Sequence, residues 1–414
     1  MKYTLPNFKY RLVLAGVLMF VSNITLAQIN LSITGLVISA KGELPLEGVN
    51  VSIENKGIGS VTNSDGKFIL VLHITVNPTD SLTFSCIGYE TKRVGVIDAS
   101  VNKSLTVKLE TSVTNLAEVN VKPVSLKSLL DSIIDHNTKL FVSPAELKGY
   151  YRELAYTDTK CTEFSDALCS YYFDRTSAPD GQFKIDASRC LEAKEPKYDR
   201  HNFEAMLPSF IRPNAAFQYA MLKHLVEKFF PDKTIANYDY IIEETNAENE
   251  GDLKIVISPK PSDQEDYYQL VLFLTNDLTL ISLRMDVPEK LAARIEEKSF
   301  LGLHARVTKL NISVNYSALA GSIYPGYYNM SFSYYLRGKF MGVTFNQTDD
   351  NKTEFVVTEV KKGGDARPFE RKAVYKKGNL CDNGTAITND LLKNCTIIKL
   401  SQKDSVEVKG FVGK

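Results

Sequence analysis

Apolar and polar residues alternate in short segments along the N-terminal part of the chain, between Leu31 and Val121. The segments GVNVSIE, GKFILVL and SLTVKLE are examples, and residues that favour turns, such as Gly42 and Pro45, separate them. A period of two places successive side chains on opposite faces of a strand. The pattern therefore predicts an antiparallel β-sandwich in this part of the chain.

Asp65 and Gly66 are the clearest turn signal in this region, because glycine accepts the positive φ of a tight turn and aspartate tolerates the neighbouring left-handed region. This turn motif predicts a β-hairpin between the strands on either side. In the strand before it, alternate residues are expected to face the core: Val49, Val51 and Ile53. The residues between them are expected to face water: Asn50, Ser52 and Glu54.

Beyond Pro123 the apolar spacing becomes helical. Ser125 is placed to cap a helix whose apolar residues recur three or four positions apart: Leu126, Leu129, Leu130, Ile133 and Ile134. A second helix is predicted from about Asn214 to Phe230, and Pro231 ends it. Its apolar stripe is interpreted as core packing rather than as a ligand groove: Phe217, Met221, Leu222, Leu225, Val226 and Phe229.

The other segments of the second part alternate over longer stretches and predict strands. GYYRELAYT and ALCSYYFD are expected to form a hairpin, and a bend at residues 275–277 joins two further apolar runs. Long antiparallel strands rich in aromatic residues favour a strongly curved sheet.

Four segments in the first part resemble the carboxypeptidase regulatory-like domain: Gly48–Val51, Thr62–Phe68, Leu82–Tyr89 and Leu116–Val119. The resemblance implies a transthyretin-like β-sandwich, found at the start of exported and outer-membrane proteins of Gram-negative bacteria. Members of that family are structural or interaction modules, so the resemblance implies no catalytic residues.

The second part resembles the half-barrel of periplasmic lipoprotein carriers in topology, without a shared motif. This resemblance implies a hydrophobic pocket in the hollow of the sheet, and the alternative is a hollow filled by the chain's own helices. The predicted fold class is mainly β with an α+β second part. An N-terminal transthyretin-like sandwich is followed by a curved antiparallel sheet with a few helices.

The first residues have the pattern of a secretory signal peptide. A basic start is followed by the apolar run Leu12–Val21 and by Thr25-Leu26-Ala27 before Gln28. An N-terminal anchor helix is the alternative, although the run is short for a membrane span. We therefore expect three parts: a signal peptide (1–27), the sandwich (28–122) and an α+β domain (123–414). The expected location is the periplasm or the outer membrane, with peripheral rather than spanning contact.

Charge is balanced, since 49 basic and 49 acidic residues give a formal net charge of zero. A chain of this kind has no overall field that would attract nucleic acid. We expect an envelope protein or a glycan as the partner, with an apolar ligand as the alternative. The stretch EVKKGGDARPFERKAVYKKG is locally basic and predicts a flexible surface loop, for which contact with lipid headgroups or polysaccharide is the functional alternative.

The chain has six cysteines, and an exported protein can form disulfides. Cys161 and Cys169 flank a predicted hairpin bend, and Cys381 with Cys395 would close a C-terminal loop. These are the candidate disulfides, whereas Cys86 is expected to be a small buried side chain. The absence of a CxxC spacing argues against a zinc cage.

The five histidines offer one metal candidate, in which His201 and Glu204 form an H-x-x-E and His304 follows about a hundred residues later. Zinc peptidases use two histidines and a glutamate as ligands. The segment around His201 has prolines on both sides and lacks the strand ends that would position such a site. These residues are therefore interpreted as surface or half-buried residues. No catalytic residue, metal or cofactor is predicted.

No nucleophile elbow, HExxH, phosphate loop or Rossmann fingerprint occurs. The favoured hypothesis is a non-enzymatic, exported binding or assembly module of the bacterial cell envelope. The alternatives are a periplasmic carrier of an apolar ligand in the curved sheet and a zinc peptidase-like hydrolase with an unrecognised site.

Overall fold

The computed structural model describes residues 31–72, 77, 79–86, 88–96, 104–111, 124–175, 178–193, 213–245, 252–261, 265–340, 342–376 and 380–413. Several predictions lie outside these residues: the signal peptide 1–27, the segment Leu116–Val119, the boundary between 122 and 123, and the pair His201 and Glu204.

The N-terminal part is a sandwich of two sheets, with strand orders β4-β1-β7 and β3-β2-β5-β6. The strands are β1 (Leu31–Ser39), β2 (Asn50–Ile53), β3 (Ile58–Val61), β4 (Lys67–Leu72), β5 (Ser81–Ser85), β6 (Lys92–Gly95) and β7 (Leu105–Leu109). Phe68 and Phe84 meet edge to face between the sheets, with ring centroids 5.7 Å apart. The predicted sandwich is confirmed, although β1 and β7 pair in parallel.

The turn at Asp65 and Gly66 is present, but the predicted hairpin is wrong. β3 pairs with β2 and β4 pairs with β1, so the turn carries the chain from one sheet to the other. The Asn63 side-chain oxygen accepts hydrogen bonds from the backbone N–H groups of Asp65 (3.1 Å) and Lys67 (2.9 Å). Gly66 has a φ of +72°, and an added Cβ would lie 2.4 Å from the Val37 carbonyl oxygen, so only glycine fits.

The prediction that Asn50 and Ser52 face water is also wrong. Asn50 is 3% exposed and Ser52 is 9% exposed. The Asn50 amide donates to the Ser317 hydroxyl at 3.2 Å, because the second part of the chain covers this face of the sandwich. Alternation in a strand distinguishes its two faces but does not show whether a second domain covers the polar one.

The second part is one large, mainly antiparallel sheet with the strand order β11-β12-β13-β14-β16-β17-β18-β8-β9-β10-β19. The strands are β8 (Ala145–Thr157), β9 (Lys160–Asp174), β10 (Ala178–Glu192), β11 (Tyr238–Thr245), β12 (Asp252–Pro259), β13 (Gln269–Leu274), β14 (Leu280–Asp286), β15 (Lys298–Phe300), β16 (Leu303–Leu319), β17 (Ser322–Phe340), β18 (Val343–Lys362), β19 (Thr385–Ala386) and β20 (Val412–Gly413). Both predicted hairpins are confirmed, because β8 pairs with β9 and β13 pairs with β14 in antiparallel fashion.

The described α-helices are α1 (Leu126–Leu140), α2 (Pro213–Ala220), α3 (Leu222–Phe229), α4 (Glu289–Ala292), α5 (Asn389–Lys393) and α6 (Gln402–Val408). Ser125 caps α1 as predicted, since its hydroxyl accepts a hydrogen bond from the Ser128 N–H at 3.2 Å. None of the described helices is long and apolar enough to cross a bilayer.

The single helix predicted from about Asn214 to Phe230 is wrong, because the chain breaks it into α2 and α3. Met221 between them is extended, with φ −91° and ψ 115°. The Tyr316 hydroxyl donates to the Ala220 carbonyl oxygen at 2.7 Å, so a buried side chain from the sheet satisfies the carbonyl at the end of α2.

The predicted cysteine pairs are wrong, and the structure instead joins Cys190 to Cys381. Cys161 and Cys169 both lie in β9, where eight residues span about 26 Å, far beyond the reach of a disulfide. Burial raises the pKa of the Cys161 thiol to about 12. Cys395 lies outside any disulfide, and Cys381 instead ties the segment after β18 to the strand β10.

Candidate functional site

One face of the large sheet, the helical face, is covered by α1, α2 and α3. Phe217 of α2 stacks on Tyr171 with ring centroids 3.9 Å apart and meets the edge of Phe355 at 4.3 Å. Leu225 of α3 and Ile133 of α1 are both fully buried at 0% exposure. The chain's own helices therefore fill this face of the sheet with an ordinary packed core.

A buried tyrosine hydroxyl on the helical face is among the polar atoms that have no hydrogen-bond partner in the described part of the chain. The Tyr328 hydroxyl on β17 is buried and forms no hydrogen bond. Burial raises the pKa of Tyr328, so the hydroxyl stays protonated. An unsatisfied buried hydroxyl costs about 1–3 kcal/mol, which makes it a candidate contact for a bound molecule.

The opposite face, the sandwich face, carries a deeply buried ion pair. Arg152 of β8 is 2% exposed and Glu354 of β18 is 0% exposed. Two nitrogens of the guanidinium, Nε and Nη2, lie 2.7 Å and 2.6 Å from the Glu354 Oε2. The two residues are direct neighbours in the register of β8 and β18, so adjacent strands place them together.

Three further side chains complete this group, which we name the junction cluster: Arg152, Glu354, Tyr327, Lys352 and Glu47. The Tyr327 hydroxyl donates to the Glu354 Oε1 at 2.8 Å, and the Lys352 Nζ lies 3.3 Å from the Glu354 Oε2. Lys352 also forms an ion pair with Glu47 of the sandwich. Burial alone would raise the pKa of Glu354, but Arg152, Lys352 and the Tyr327 hydroxyl lower it to about 2.

The junction cluster also holds the C-terminal segment. The Arg152 Nη1 donates to the backbone oxygens of Ile398 (3.1 Å) and Lys399 (2.9 Å). The Asn63 amide of the sandwich donates to the same Lys399 oxygen at 3.1 Å. The Gln402 N–H, in the first turn of α6, donates to the Asp65 carboxylate at 2.8 Å.

A second buried carboxylate lies beside the cluster. Asp166 of β9 is 0% exposed and accepts hydrogen bonds from the Tyr150 hydroxyl (2.9 Å) and from the Arg189 Nε (3.0 Å) and Nη2 (2.6 Å). The junction cluster thus joins sandwich, sheet and C-terminal segment, and the Asp166 group links β8, β9 and β10 within the sheet. Glu354 is ionised at neutral pH, with both oxygens engaged, so it is unsuited to act as a general base.

Of the metal candidates, the described residues include only His304, which lies on β16. Its Nδ1 is 2.8 Å from the Ser299 hydroxyl and 3.2 Å from the Glu297 carboxylate. Arg337 binds the same carboxylate, with its Nη2 2.6 Å from the Glu297 Oε1. A hydrogen bond from Arg337 lowers the pKa of Glu297, and a guanidinium at this position opposes a metal cation. Among the described residues, no group of three or more His, Cys, Asp or Glu side chains could hold a metal.

The junction cluster was not predicted from the sequence, although a signal was present. In GYYRELAYT, Arg152 occurs in phase with Tyr150 and Leu154, so it shares their face of the strand. A charged residue in the middle of a buried strand face needs a partner of opposite charge. Glu354 occupies the equivalent position in TEFVVTEV, but only the strand register shows that the two residues are neighbours.

Comparison with solved structures gives distant likenesses. A DUF1329 family protein from Desulfovibrio piger is 10% identical and has a TM-score of 0.27, with 61% of this chain and 99% of that chain covered. A LolA superfamily protein from Nitrosomonas europaea is 10% identical and has a TM-score of 0.22, with 60% and 97% covered. Lipovitellin is 7% identical and has a TM-score of 0.25, with 58% and 27% covered.

TM-scores this low transfer neither a ligand nor a partner to this chain. No curated protein sequence matches the chain. Residues 33–121 match the model of the CarboxypepD_reg-like domain family, which confirms the resemblance inferred from the strands and turns of the N-terminal part.

Proposed function

We propose that the protein is a non-catalytic binding or assembly module of the bacterial cell envelope, exported and used as a fixed scaffold. The junction cluster carries this proposal. Arg152 and Glu354 are buried where the sandwich, the sheet and the C-terminal segment meet, and their hydrogen-bonding groups serve to join these parts. A scaffold of this kind presents its outer surface to a partner in a constant geometry.

Two further observations support the proposal. Phe217, Leu225 and Ile133 pack against the helical face. The chain's own side chains therefore occupy the space in which a carrier would bind its apolar ligand. The disulfide between Cys190 and Cys381 belongs to an oxidising compartment, as expected for an exported protein.

The test is cell fractionation followed by crosslinking and affinity capture of the tagged, full-length protein from envelope extract. We expect the protein in the envelope fraction, with the same envelope protein or glycan crosslinked in repeated captures. Recovery of the intact protein in the cytosol would contradict export. Hydrolysis of a peptide substrate that a chelator abolishes, and that His304→Ala weakens, would favour the peptidase alternative.

Carriage of an apolar ligand is the second candidate, and the Tyr328 hydroxyl is the observation that favours it. A ligand oxygen placed against this hydroxyl would supply its missing hydrogen bond. Native mass spectrometry of the purified protein would then show a bound apolar molecule. Tyr328→Phe should weaken its retention up to about tenfold, the value of one hydrogen bond.

Tyr335→Phe is the matched control for the carrier experiment. Tyr335 lies on the same strand, is partly exposed, and donates its hydroxyl proton to the Asn346 side chain. The Tyr335→Phe substitution should leave retention of the apolar ligand unchanged. A protein that repeatedly carries no apolar molecule would eliminate the carrier hypothesis.

A further inference from the structure

Positive charge is concentrated in one segment of this electrically neutral chain. Between Val360 and Lys376, which we name the basic loop, six cationic side chains face only two carboxylates, those of Asp365 and Glu370. The six are Lys361, Lys362, Arg367, Arg371, Lys372 and Lys376. The loop therefore has a net charge of +4, although the whole chain has a net charge of zero.

Most of this charge is not neutralised by ion pairs. Lys372 pairs with Glu370 at 3.0 Å, and Lys361 lies 3.6 Å from Glu146. The other four cations are exposed, and in the described part of the chain no carboxylate is within ion-pair distance of them: Lys362, Arg367, Arg371 and Lys376. In contrast to Arg152, these side chains are free to contact an external anion.

The basic loop is fixed to the body of the protein by its apolar residues. The Tyr375 ring is 6% exposed and meets the edge of Phe183 at 5.9 Å, and the Tyr375 N–H donates to the Phe183 oxygen at 2.7 Å. The Phe369 N–H donates to the Gln182 side chain at 2.7 Å. These contacts anchor the loop, while Arg367, Arg371 and Lys376 beside the two aromatic residues remain exposed to solvent.

The neighbouring surface extends the positive area. The Gly363 N–H at the start of the loop donates to the Pro144 oxygen at 2.9 Å, and the Ser143 hydroxyl accepts a hydrogen bond from the Arg175 N–H at 3.0 Å. The Arg175 guanidinium is exposed and donates to the carbonyl oxygens at the C-terminal end of α1, including that of Lys139. Two further exposed cations, Arg175 and Lys139, thus lie beside the loop.

We infer that the basic loop docks the protein onto an anionic lipid surface, by contact with the phosphates of lipid headgroups. The four unpaired cations are carried on long exposed stems and share no buried pocket, so they suit an extended anionic surface rather than one specific phosphate. The Phe369 ring packs against Tyr172 of β9 and beneath Lys184 of β10, and the Tyr375 ring packs against Phe183 of β10, so neither ring is presented for stacking on sugars. This inference rests on the proposed envelope function and adds the surface on which the scaffold sits.

The test is cosedimentation of the purified protein with vesicles of equal parts phosphatidylcholine and phosphatidylglycerol, and with vesicles of phosphatidylcholine alone. We expect binding to the anionic vesicles only. Binding should fall as NaCl rises from roughly 0.02 to 0.5 M, because the Debye length shrinks from about 20 Å to a few ångströms.

A loop variant with Arg367→Gln, Arg371→Gln and Lys376→Gln should lose roughly a hundredfold in partitioning, at about fivefold for each cation near the surface. Reversing the same three charges to Glu should abolish binding. The matched control replaces three other lysines by Glu: Lys228, Lys233 and Lys290. They are exposed on parts of the second domain other than the basic loop. The control variant has the same net charge as the reversed loop variant, and it should bind more tightly than that variant does.

Equal losses in the loop and control variants would overturn the inference, since net charge alone would then explain binding. Binding to soluble alginate with no binding to anionic vesicles would overturn it in favour of a polysaccharide. Competition by inorganic phosphate at low millimolar concentration, at constant ionic strength, would also contradict it, because it would indicate a specific phosphate site. Failure of vesicle binding together with capture of an envelope partner would reject the lipid surface and leave the proposed scaffold function standing.

Discussion

At the scale of single residues, Arg152 and Glu354 carry the sharpest prediction about stability. Replacing Arg152 by Met leaves the buried Glu354 carboxylate with Lys352 as its remaining cationic partner and removes the donor to Ile398 and Lys399. We expect the free energy of unfolding to fall by about 3–5 kcal/mol, measured by urea denaturation.

The matched comparison is the exposed pair of Arg337 and Glu297, which has similar geometry at the surface. Arg337→Met should cost far less than Arg152→Met, because water screens an exposed pair. The double variant Arg152→Met with Glu354→Leu should recover much of the loss. An Arg152→Met variant as stable as the native protein would show that the junction cluster does not hold the parts together.

Glu354 also predicts how stability depends on pH. Its pKa is lowered from 4.5 in the unfolded chain to about 2 in the folded protein. A lowered pKa means that the stabilisation is fully present above pH 4.5 and is lost as the pH falls toward 2. The loss is on the order of 3 kcal/mol. Unfolding measured between pH 6 and pH 2 should show a steeper acid decline for the native protein than for Glu354→Gln.

At the scale of elements, Asn137 joins α1 to the turn between β13 and β14. Its amide donates to the Leu278 oxygen at 2.8 Å, and its side-chain oxygen accepts from the Leu280 N–H at 2.8 Å. Asn137→Ala removes the partner of the buried Leu280 N–H and of the half-buried Leu278 oxygen, so we expect a loss of about 1–3 kcal/mol. Faster hydrogen exchange at Leu280 would report the same change locally.

Ser132 on the same helix provides the control for Asn137. Its exposed hydroxyl donates to the Ser128 oxygen within α1 at 2.9 Å. Ser132→Ala should change stability by less than about 0.5 kcal/mol. Equal losses of stability from the two substitutions would contradict this prediction. They would mean that Asn137 stabilises the protein only within α1 and not through its hydrogen bonds to the turn between β13 and β14.

At the scale of the whole molecule, Gly57 tests whether the sandwich and the sheet form one body. Gly57 has a φ of +64°, and an added Cβ would lie 2.9 Å from the Val360 Cβ of the large sheet. Gly42 has a φ of +88° but nothing within 4 Å of its added Cβ. Alanine at either position strains the backbone by about 1–2 kcal/mol, but only Gly57→Ala also pushes the two parts of the chain apart.

We therefore expect Gly57→Ala to destabilise the protein by about 1–3 kcal/mol more than Gly42→Ala. Thermal unfolding of the native protein, followed by circular dichroism and by tyrosine fluorescence, should show one coincident transition. Two separate unfolding transitions, together with equal losses of stability from Gly57→Ala and Gly42→Ala, would contradict this prediction. They would show that the sandwich and the sheet unfold independently.

The sequence alone determined the features that depend on neighbouring residues. Alternation indicated the sandwich and the long strands, Ser125 indicated the start of α1, and Asp65 with Gly66 indicated a turn. These features could be predicted because backbone conformation and side-chain direction follow from short-range spacing.

Only the tertiary structure decided which distant segments meet. Cys190 forms a disulfide with Cys381, 191 residues away, and Arg152 forms an ion pair with Glu354. The predicted helix is interrupted at Met221, and Asn50 is buried beneath the second domain. Each of these outcomes depends on strand register or domain docking, and many registers suit one local pattern of apolar and polar residues equally well. The packing of the complete molecule selects among them, which is why the junction cluster could not be found from residue spacing.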